Sequence, residues 1–161
     1  MQRPLNTAWL GLGANLGNPA LQLAEARRLL LQSGVEILSQ SSLHHSPAWG
    51  RVEQPDFVNQ VIKVQTSLLP LELLQLAKAI EAQMGRTDTG KWGPRLIDID
   101  ILFYGQQHLN LPNLQIPHPF VQDRMFCLQP LCELQPDLVH PTLNKTMQEL
   151  KDALHTMEEC S

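Results

Sequence analysis

Residues 97–103 read Ile97-Asp98-Ile99-Asp100-Ile101-Leu102-Phe103, so apolar and acidic residues alternate over the first five positions. Successive side chains of a strand point to opposite faces, so the pattern predicts a β-strand with isoleucines on one face and both aspartates on the other. The β-carbons of Asp98 and Asp100 are then about 6–7 Å apart. Two carboxylates that close repel each other unless solvent or a cation separates them.

Hard oxygen ligands on a rigid strand suit Mg²⁺, which binds through one or two carboxylates together with substrate phosphates. The alternative is an ordinary exposed polar face of a half-buried strand. The two aspartates are therefore a candidate metal site, and the flanking sequence has to distinguish the two interpretations.

The remaining periodic segments predict three further strands and three helices. Asn18-Pro19 is typical of a helix start, because Asn caps the first turn and Pro fits inside it. The predicted strands cover 7–13, 35–43 and 57–68, and the helices run from Asn18 to Gly34, from about Pro70 to Gly85 and from about Thr146 to Met157. The predicted buried stripes are Ala20, Leu23, Ala24, Leu30 and Leu31 in the first helix, and Leu73, Leu76, Ala77, Ile80 and Met84 in the second.

The order β-α-β-β-α-β followed by a tail predicts an α+β fold of the ferredoxin-like, split βαβ type. Such a fold has an antiparallel sheet with its helices on one face, which leaves the other face free to carry a site. The tail is a C-terminal extension, and the prolines between Pro112 and Pro141 predict loops and short elements there.

The composition of the chain argues against several classes of function. The chain has 161 residues, 43% of them hydrophobic, which suits a single domain over 1–161. A net charge of −4 argues against nucleic-acid binding. No apolar run reaches membrane-spanning length and no signal peptide is evident. Three cysteines in no recognised spacing indicate reduced thiols in a cytoplasmic protein.

The segment before the aspartates is basic. Arg86, Lys91 and Arg95 lie between the end of a predicted helix and the aspartate strand. Cationic side chains there are suited to neutralising a triphosphate, the main requirement of phosphoryl transfer. A solvated basic loop is the alternative, although Trp92 and Pro94 favour an ordered one.

Phe57 and Asn59 share one face of their predicted strand, which offers an aromatic plane and an amide to a flat heterocycle. A core Phe and a ladder-edge Asn are the alternative. Gly11–Gly17 lacks the G-x-G-x-x-G spacing, and no Walker A motif is present, so neither nucleotide loop is predicted. His118 lies between two prolines, which suits either a ligand contact or a structured turn.

Together these segments resemble the hydroxymethyl-dihydropterin pyrophosphokinase family. The matching segments, in family order, are Gly11–Gly17, Ser46–Gly50, Gln54–Asn59, Gly85-Arg86, Arg95–Asp100, Ile116–Pro119 and Arg124. The resemblance implies an ATP-dependent diphosphotransferase that moves diphosphate from ATP to the hydroxymethyl group of 6-hydroxymethyl-7,8-dihydropterin and releases AMP, in folate biosynthesis.

The resemblance also implies residue roles. Asp98 and Asp100 would hold two Mg²⁺ ions, and Arg86, Trp92 and Arg95 would form a catalytic loop over ATP. The implied pterin contacts are Ser46, Pro47, Ala48, Trp49, Phe57, Asn59 and Phe126. The implied ATP contacts are Glu81, Arg86, Trp92, Arg95, Ile101, His118 and Arg124. A monomer with these two small-molecule substrates and no membrane partner is expected.

Two other functions stay open. One is a non-catalytic ferredoxin-like module that binds RNA or small ligands. RNA binding would use aromatics on the sheet and a basic surface, but only 5% of the residues are aromatic and the net charge is negative. A relative that binds without turnover is favoured only by Asp88, where the family often has Arg, and by a loop that is one residue shorter before Trp92.

Overall fold

The computed structural model describes residues 3–46, 57–85 and 97–160, with no side chains described for residues 159 and 160. The strands are β1 (Asn6–Ala14), β2 (Glu36–Gln40), β3 (His44–Ser46), β4 (Phe57–Thr66), β5 (Asp98–Tyr104), β6 (Leu109–Leu111) and β7 (Leu114–Ile116). The helices are α1 (Pro19–Gln32), α2 (Pro70–Gln83), α3 (Met125–Leu134) and α4 (Met147–Cys160), and a 3₁₀ turn covers Val121–Asp123.

The main sheet has the order β2-β4-β1-β5, and β3 continues the β2 edge along β4. Its strand pairs are antiparallel. This is the order expected of a ferredoxin-like β-α-β-β-α-β unit, so the predicted fold class is confirmed. The single strand predicted over 35–43 is divided at Ser41, whose hydroxyl accepts a hydrogen bond from the Val61 backbone N–H at 3.1 Å.

Helices α1 and α2 cover one face of the sheet. Alternate residues of β1 point to them, and Asn18 caps α1 as predicted, with its side chain accepting from the Leu21 N–H at 3.3 Å. The predicted face of α1 is partly wrong: Ala20 and Leu31 are exposed. The buried residues of α1 are Leu23, Ala26, Leu29 and Leu30.

The second face of the sheet is not fully free, because α3 and α4 pack against one end of it. Trp9, Val61 and Leu102 contribute the sheet side of this second hydrophobic cluster. The helices contribute Cys127, Leu128, Leu131, Met147 and Leu150. The helix predicted from about Thr146 to Met157 is confirmed as α4. The stretch before it, predicted as loops and short elements, also holds α3 and the small β6–β7 hairpin, so the tail forms a second helical layer.

A bulge in β5 helps to build this cluster. Trp9 pairs with Phe103 while Leu10 pairs with Ile101, so Leu102 is an extra residue in the ladder. Leu102 and Phe103 both join the second cluster, whereas Ile101 stays in the first. In the described part of the chain, no helix is long and apolar enough to cross a membrane.

Adjacent leucines of α1 test this packing. Leu30 is fully buried and Leu31 is 54% exposed. Leu30→Ala should lower the free energy of unfolding by about 2–5 kcal/mol, because it leaves a cavity in the core. Leu31→Ala should change it by less than about 0.5 kcal/mol. Urea denaturation of both variants measures the difference, and equal losses would contradict the described orientation of α1.

Candidate functional site

A cavity of about 890 Å³ lies over the uncovered end of the second sheet face. Its position follows from β1, where Trp9 packs under the helices while Gly11 and Gly13, on the same side, carry no side chain. The sheet contributes Gly11, Gly13, Ser46, Phe57, Asn59, Asp98 and Asp100 to the lining, and the other elements contribute Phe120, Arg124, Phe126 and Glu158.

Asn59 is buried at the centre of the floor. Its Nδ2 donates a 2.7 Å hydrogen bond to the Ser46 Oγ on β3. Gly13 lies opposite Asn59 on β1, and the Asn59 Oδ1 lies over it. A β-carbon at Gly13 would be only 2.9 Å from that oxygen. Glycine is therefore required at this position by close approach, and its absent side chain gives the amide its place.

Asp98 and Asp100 both line the cavity, as the alternation predicted. They flank Ile99, whose backbone N–H donates a 2.8 Å hydrogen bond to the carboxylate of Glu81 on α2. Glu81 is only 3% exposed. Among the described residues β5 is an edge strand, so this carboxylate takes the place of a neighbouring strand as acceptor and fixes the strand that holds both aspartates.

Arg124 lies over the rings of two phenylalanines that line the cavity, Phe120 and Phe126. Its guanidinium carbon lies 5.2 Å from the Phe120 ring centre and 5.5 Å from the Phe126 ring centre. Such contacts over ring faces hold a guanidinium in place while its N–H groups stay available. Arg124 and Phe126 were predicted site residues, whereas Phe120 was not.

His118 lies close to the cavity on the segment after β7. Its Nδ1 accepts a hydrogen bond from the Phe120 N–H at 3.2 Å, which leaves the ring proton on Nε2. Burial is the main influence on its pKa and lowers it, Asp100 raises it and Arg124 lowers it, so that the pKa lies below its ordinary value. The imidazole is thus neutral at pH 7, with Nε2–H as a donor.

Cys127 also lines the cavity, but it is not a nucleophile. Burial raises the pKa of its thiol to about 12, which keeps it protonated. Cys127 and Cys132 are both free thiols, as expected.

The predicted site residues divide into three groups. Asp98, Asp100, Ser46, Phe57, Asn59, Arg124 and Phe126 all line the cavity. Glu81, Ile101 and His118 do not. Glu81 lies behind β5, the Ile101 side chain is in the core facing α1 and α2, and His118 lies beside the cavity next to Phe120. The remaining predicted residues, Pro47, Ala48, Trp49, Arg86, Trp92 and Arg95, are outside the described residues.

Sequence reasoning missed several cavity residues. Gly11 and Gly13 form part of the floor, and Glu158 reaches the cavity from α4. The pattern Trp9-x-Gly11-x-Gly13 could have revealed the floor, because it places one bulky and two absent side chains on one strand face. No local signal connects Glu158 to the sheet.

The charge of the cavity bears on metal binding. Asp98, Asp100, Asp123 and Glu158 line it, against Arg124 as the one Arg or Lys among its described lining residues. Within the described ranges, no three His, Cys, Asp or Glu side chains gather as a complete metal site. Two carboxylates fit Mg²⁺, since this ion commonly completes its shell with water and phosphate oxygens.

Comparisons with known proteins give the family. Residues 9–136 match the model of 7,8-dihydro-6-hydroxymethylpterin-pyrophosphokinase (HPPK). The chain is 42% identical over 145 residues to the 2-amino-4-hydroxy-6-hydroxymethyldihydropteridine pyrophosphokinase of Aquifex aeolicus, covering 90% of each chain. It is 40% identical over 136 residues to the enzyme of the same name from Methylorubrum extorquens, covering 84% of this chain and 86% of that one.

A solved structure has the same fold. Plasmodium falciparum HPPK-DHPS, crystallised with pteroate, superposes with a TM-score of 0.79 at 19% identity. The match covers 99% of this chain and 44% of that chain, and at this identity it bears on the fold alone. The family match and the two relatives carry the assignment: the chain belongs to the 7,8-dihydro-6-hydroxymethylpterin-pyrophosphokinase family.

Proposed function

We propose that this chain is an ATP-dependent pyrophosphokinase of folate biosynthesis, which transfers diphosphate from ATP to the hydroxymethyl group of 6-hydroxymethyl-7,8-dihydropterin in the cavity described above. The observation that carries the proposal is that one cavity is lined by the carboxylates of Asp98 and Asp100, the buried Asn59 amide and three phenylalanine rings. Carboxylates suit a metal-bound polyphosphate, and an amide between aromatic rings suits a flat heterocycle.

The pterin is proposed to lie between Phe57 and Phe126, with its polar edge at Asn59. The Asn59 amide is held by Ser46 before any ligand arrives, so little ordering is needed on binding. Pro47, Ala48 and Trp49, which follow Ser46 in the chain, are proposed to complete this edge on the basis of the family pattern.

The triphosphate is proposed to lie along Asp98, Asp100, Arg124 and His118. The two aspartates would hold two Mg²⁺ ions, which when bound neutralise phosphate charge and polarise the phosphoryl group. Arg124 contributes positive charge, and the neutral His118 donates from Nε2 to a phosphate oxygen. Arg86, Trp92 and Arg95 are proposed to complete the ATP site, with Glu81 positioning β5 and Ile101 contributing through its backbone.

In the reaction, the hydroxymethyl oxygen bonds to the β-phosphorus, the bond from that phosphorus to the α–β bridging oxygen breaks, and AMP leaves. The hydroxyl proton passes to solvent. The chain's residues align the two substrates and balance their charge, which are the principal demands of phosphoryl transfer. No general base is assigned.

We also propose that residues 1–161 form one pyrophosphokinase domain that acts as a monomer in the cytoplasm. One chain supplies the walls of the cavity that are described, and the free Cys127 and Cys132 are in keeping with a reducing compartment.

The activity itself is tested by measuring AMP release from ATP with Mg²⁺ and the reduced hydroxymethylpterin, against a control without pterin. Pterin-dependent AMP without ADP is expected. AMP formation at the same rate with and without pterin, or ADP as the product, would contradict the proposal.

Asp98→Asn and Asp100→Asn should each lower turnover by at least about 100-fold, because each removes a charge from the site of phosphate transfer. The thermal midpoint should stay near that of the parent, since both side chains face the cavity. Asp137→Asn, at an exposed position away from the cavity, is the matched control. Near-parental turnover of either cavity variant at saturating Mg²⁺ would disprove the metal assignment.

Phe126→Ala should raise the KM for the pterin about ten-fold, through the loss of a stacking plane, and change the KM for ATP much less. Phe126→Tyr retains the ring and should stay near the parent. Equal increases in both KM values for Phe126→Ala would count against stacking.

Gly13→Ala should raise the pterin KM about ten-fold, because its β-carbon displaces the buried Asn59 amide. Gly11→Ala is the matched comparison and should have a smaller effect, since its β-carbon would meet the flexible Leu102 side chain at 3.5 Å. Steady-state kinetics and circular dichroism of both variants separate a local effect from loss of fold. A Gly13→Ala enzyme with parental pterin KM would show that the Asn59 position is unimportant.

A further inference from the structure

Glu133 connects two walls of the cavity without lining it. It lies on α3 seven residues after Phe126, so the two side chains point to similar sides of the helix, two turns apart. Its carboxylate accepts hydrogen bonds from the Ser42 backbone N–H at 2.7 Å and the Ser42 hydroxyl at 2.8 Å. The Nε2 of His44, on β3, lies 2.9 Å from the same carboxylate and donates to it.

The carboxylate is held in its charged form. Burial acts to raise the pKa of Glu133, but the hydrogen bonds from the Ser42 backbone, His44 and the Ser42 hydroxyl outweigh it and lower the pKa below its ordinary value. Hydrogen bonds to a charged acceptor are stronger and more directional than those between neutral groups. The contact is therefore a well-defined attachment point between α3 and the start of β3.

This attachment is not needed to hold α3 on the sheet. Cys127, Leu128 and Leu131 already bury the helix against the second face, and the Glu133 side chain remains 38% exposed. Apolar burial is non-directional, whereas three converging hydrogen bonds have a defined geometry. β3 itself is fixed on the sheet by its antiparallel pairing with β4. Glu133 therefore bears on where this end of α3 lies relative to β3, and it contributes little to whether the helix packs.

Both connected elements supply proposed pterin contacts. On β3, Ser46 lies two residues after His44 and accepts the hydrogen bond of the Asn59 amide. On α3, Phe126 supplies one of the aromatic rings that line the cavity. The contact of Glu133 with His44 and Ser42 therefore joins the strand that holds the amide edge to the helix that carries one stacking ring.

We propose that Glu133 is a positioning residue, whose carboxylate holds β3 and α3 at the spacing that the pterin ring requires. The proposal rests on the pterin position proposed above. It gives Glu133 a role in the affinity for one of the two substrates, although it touches neither.

The test uses the full-length chain and the AMP-release assay, with KM measured for each substrate. Glu133→Ala should raise the pterin KM about ten-fold, as expected when a set of charge-assisted hydrogen bonds is removed, and leave kcat and the ATP KM near the parent. Glu133→Gln retains an acceptor oxygen and should give an intermediate pterin KM. Glu25→Ala, which removes an exposed carboxylate paired with Arg28 on α1, is the control and should match the parent.

A double-mutant cycle measures the coupling between Glu133 and His44. Glu133→Ala should raise the pterin KM much less in a His44→Ala background than in the parent, because the pair acts as a unit. If the fold-increases in pterin KM of Glu133→Ala and His44→Ala multiply in the double variant, the two residues act independently and the proposal is overturned. An unchanged pterin KM in Glu133→Ala, or a loss of kcat with a lowered thermal midpoint and no selective change in KM, would overturn it as well.

Phe126→Ala measured in parallel separates this proposal from the site on which it rests. If Phe126→Ala raises the pterin KM and Glu133→Ala does not, the positioning role fails and the pterin site stands. If neither variant changes the pterin KM, the pterin position itself is wrong and the role of Glu133 is overturned with it.

Discussion

The second face of the sheet carries large apolar side chains at one end of its strands and glycines at the other, and the cavity depends on that change. At one end Trp9, Val61 and Leu102 bury their side chains under α3 and α4. At the other end Gly11 and Gly13 provide no apolar surface that a helix could cover. Burial of apolar area is what holds a helix on a sheet, so the covering layer stops where that area ends.

The same boundary organises the polar groups. Each strand that crosses it carries its functional side chains on the open half, so that Asn59 on β4 and Asp98 and Asp100 on β5 all project into one space. Their positions are defined from behind and from the side: the buried Glu81 holds the backbone between the aspartates, and Ser46 holds the amide. Side chains placed on strands in this way are held more precisely than side chains on loops.

The two ends of the cavity differ in what they can bind. The end at β4 has the Asn59 amide and the Phe57 ring, and the end at β5 has the two carboxylates of Asp98 and Asp100. A flat, polar-edged ring and a cation-bearing polyphosphate fit these two ends respectively. A substrate hydroxyl at the boundary would then face a phosphoryl group, which is the arrangement that diphosphate transfer needs.

The sequence by itself determined which residues share a strand face, because the backbone of a strand imposes a period of two on any side chains it carries. The pairs Asp98 with Asp100 and Phe57 with Asn59 follow from that period alone. The α1 face was less certain, since Leu30 and Leu31 are equally apolar and only packing distinguishes them. Helix α3 was missed because Pro130 argues against a helix, while its burial against the sheet outweighs the lost hydrogen bond.

Only the tertiary structure decided which distant residues meet. The position of Asn59 across Gly13 depends on strand register, and the contact between Ser42 and Glu133 joins residues 91 positions apart. No local pattern records such a contact, because its geometry is the outcome of how every intervening element packs. The chemistry available to this chain was therefore visible in its local sequence, whereas the shape that brings that chemistry together arises from the packing of the whole fold.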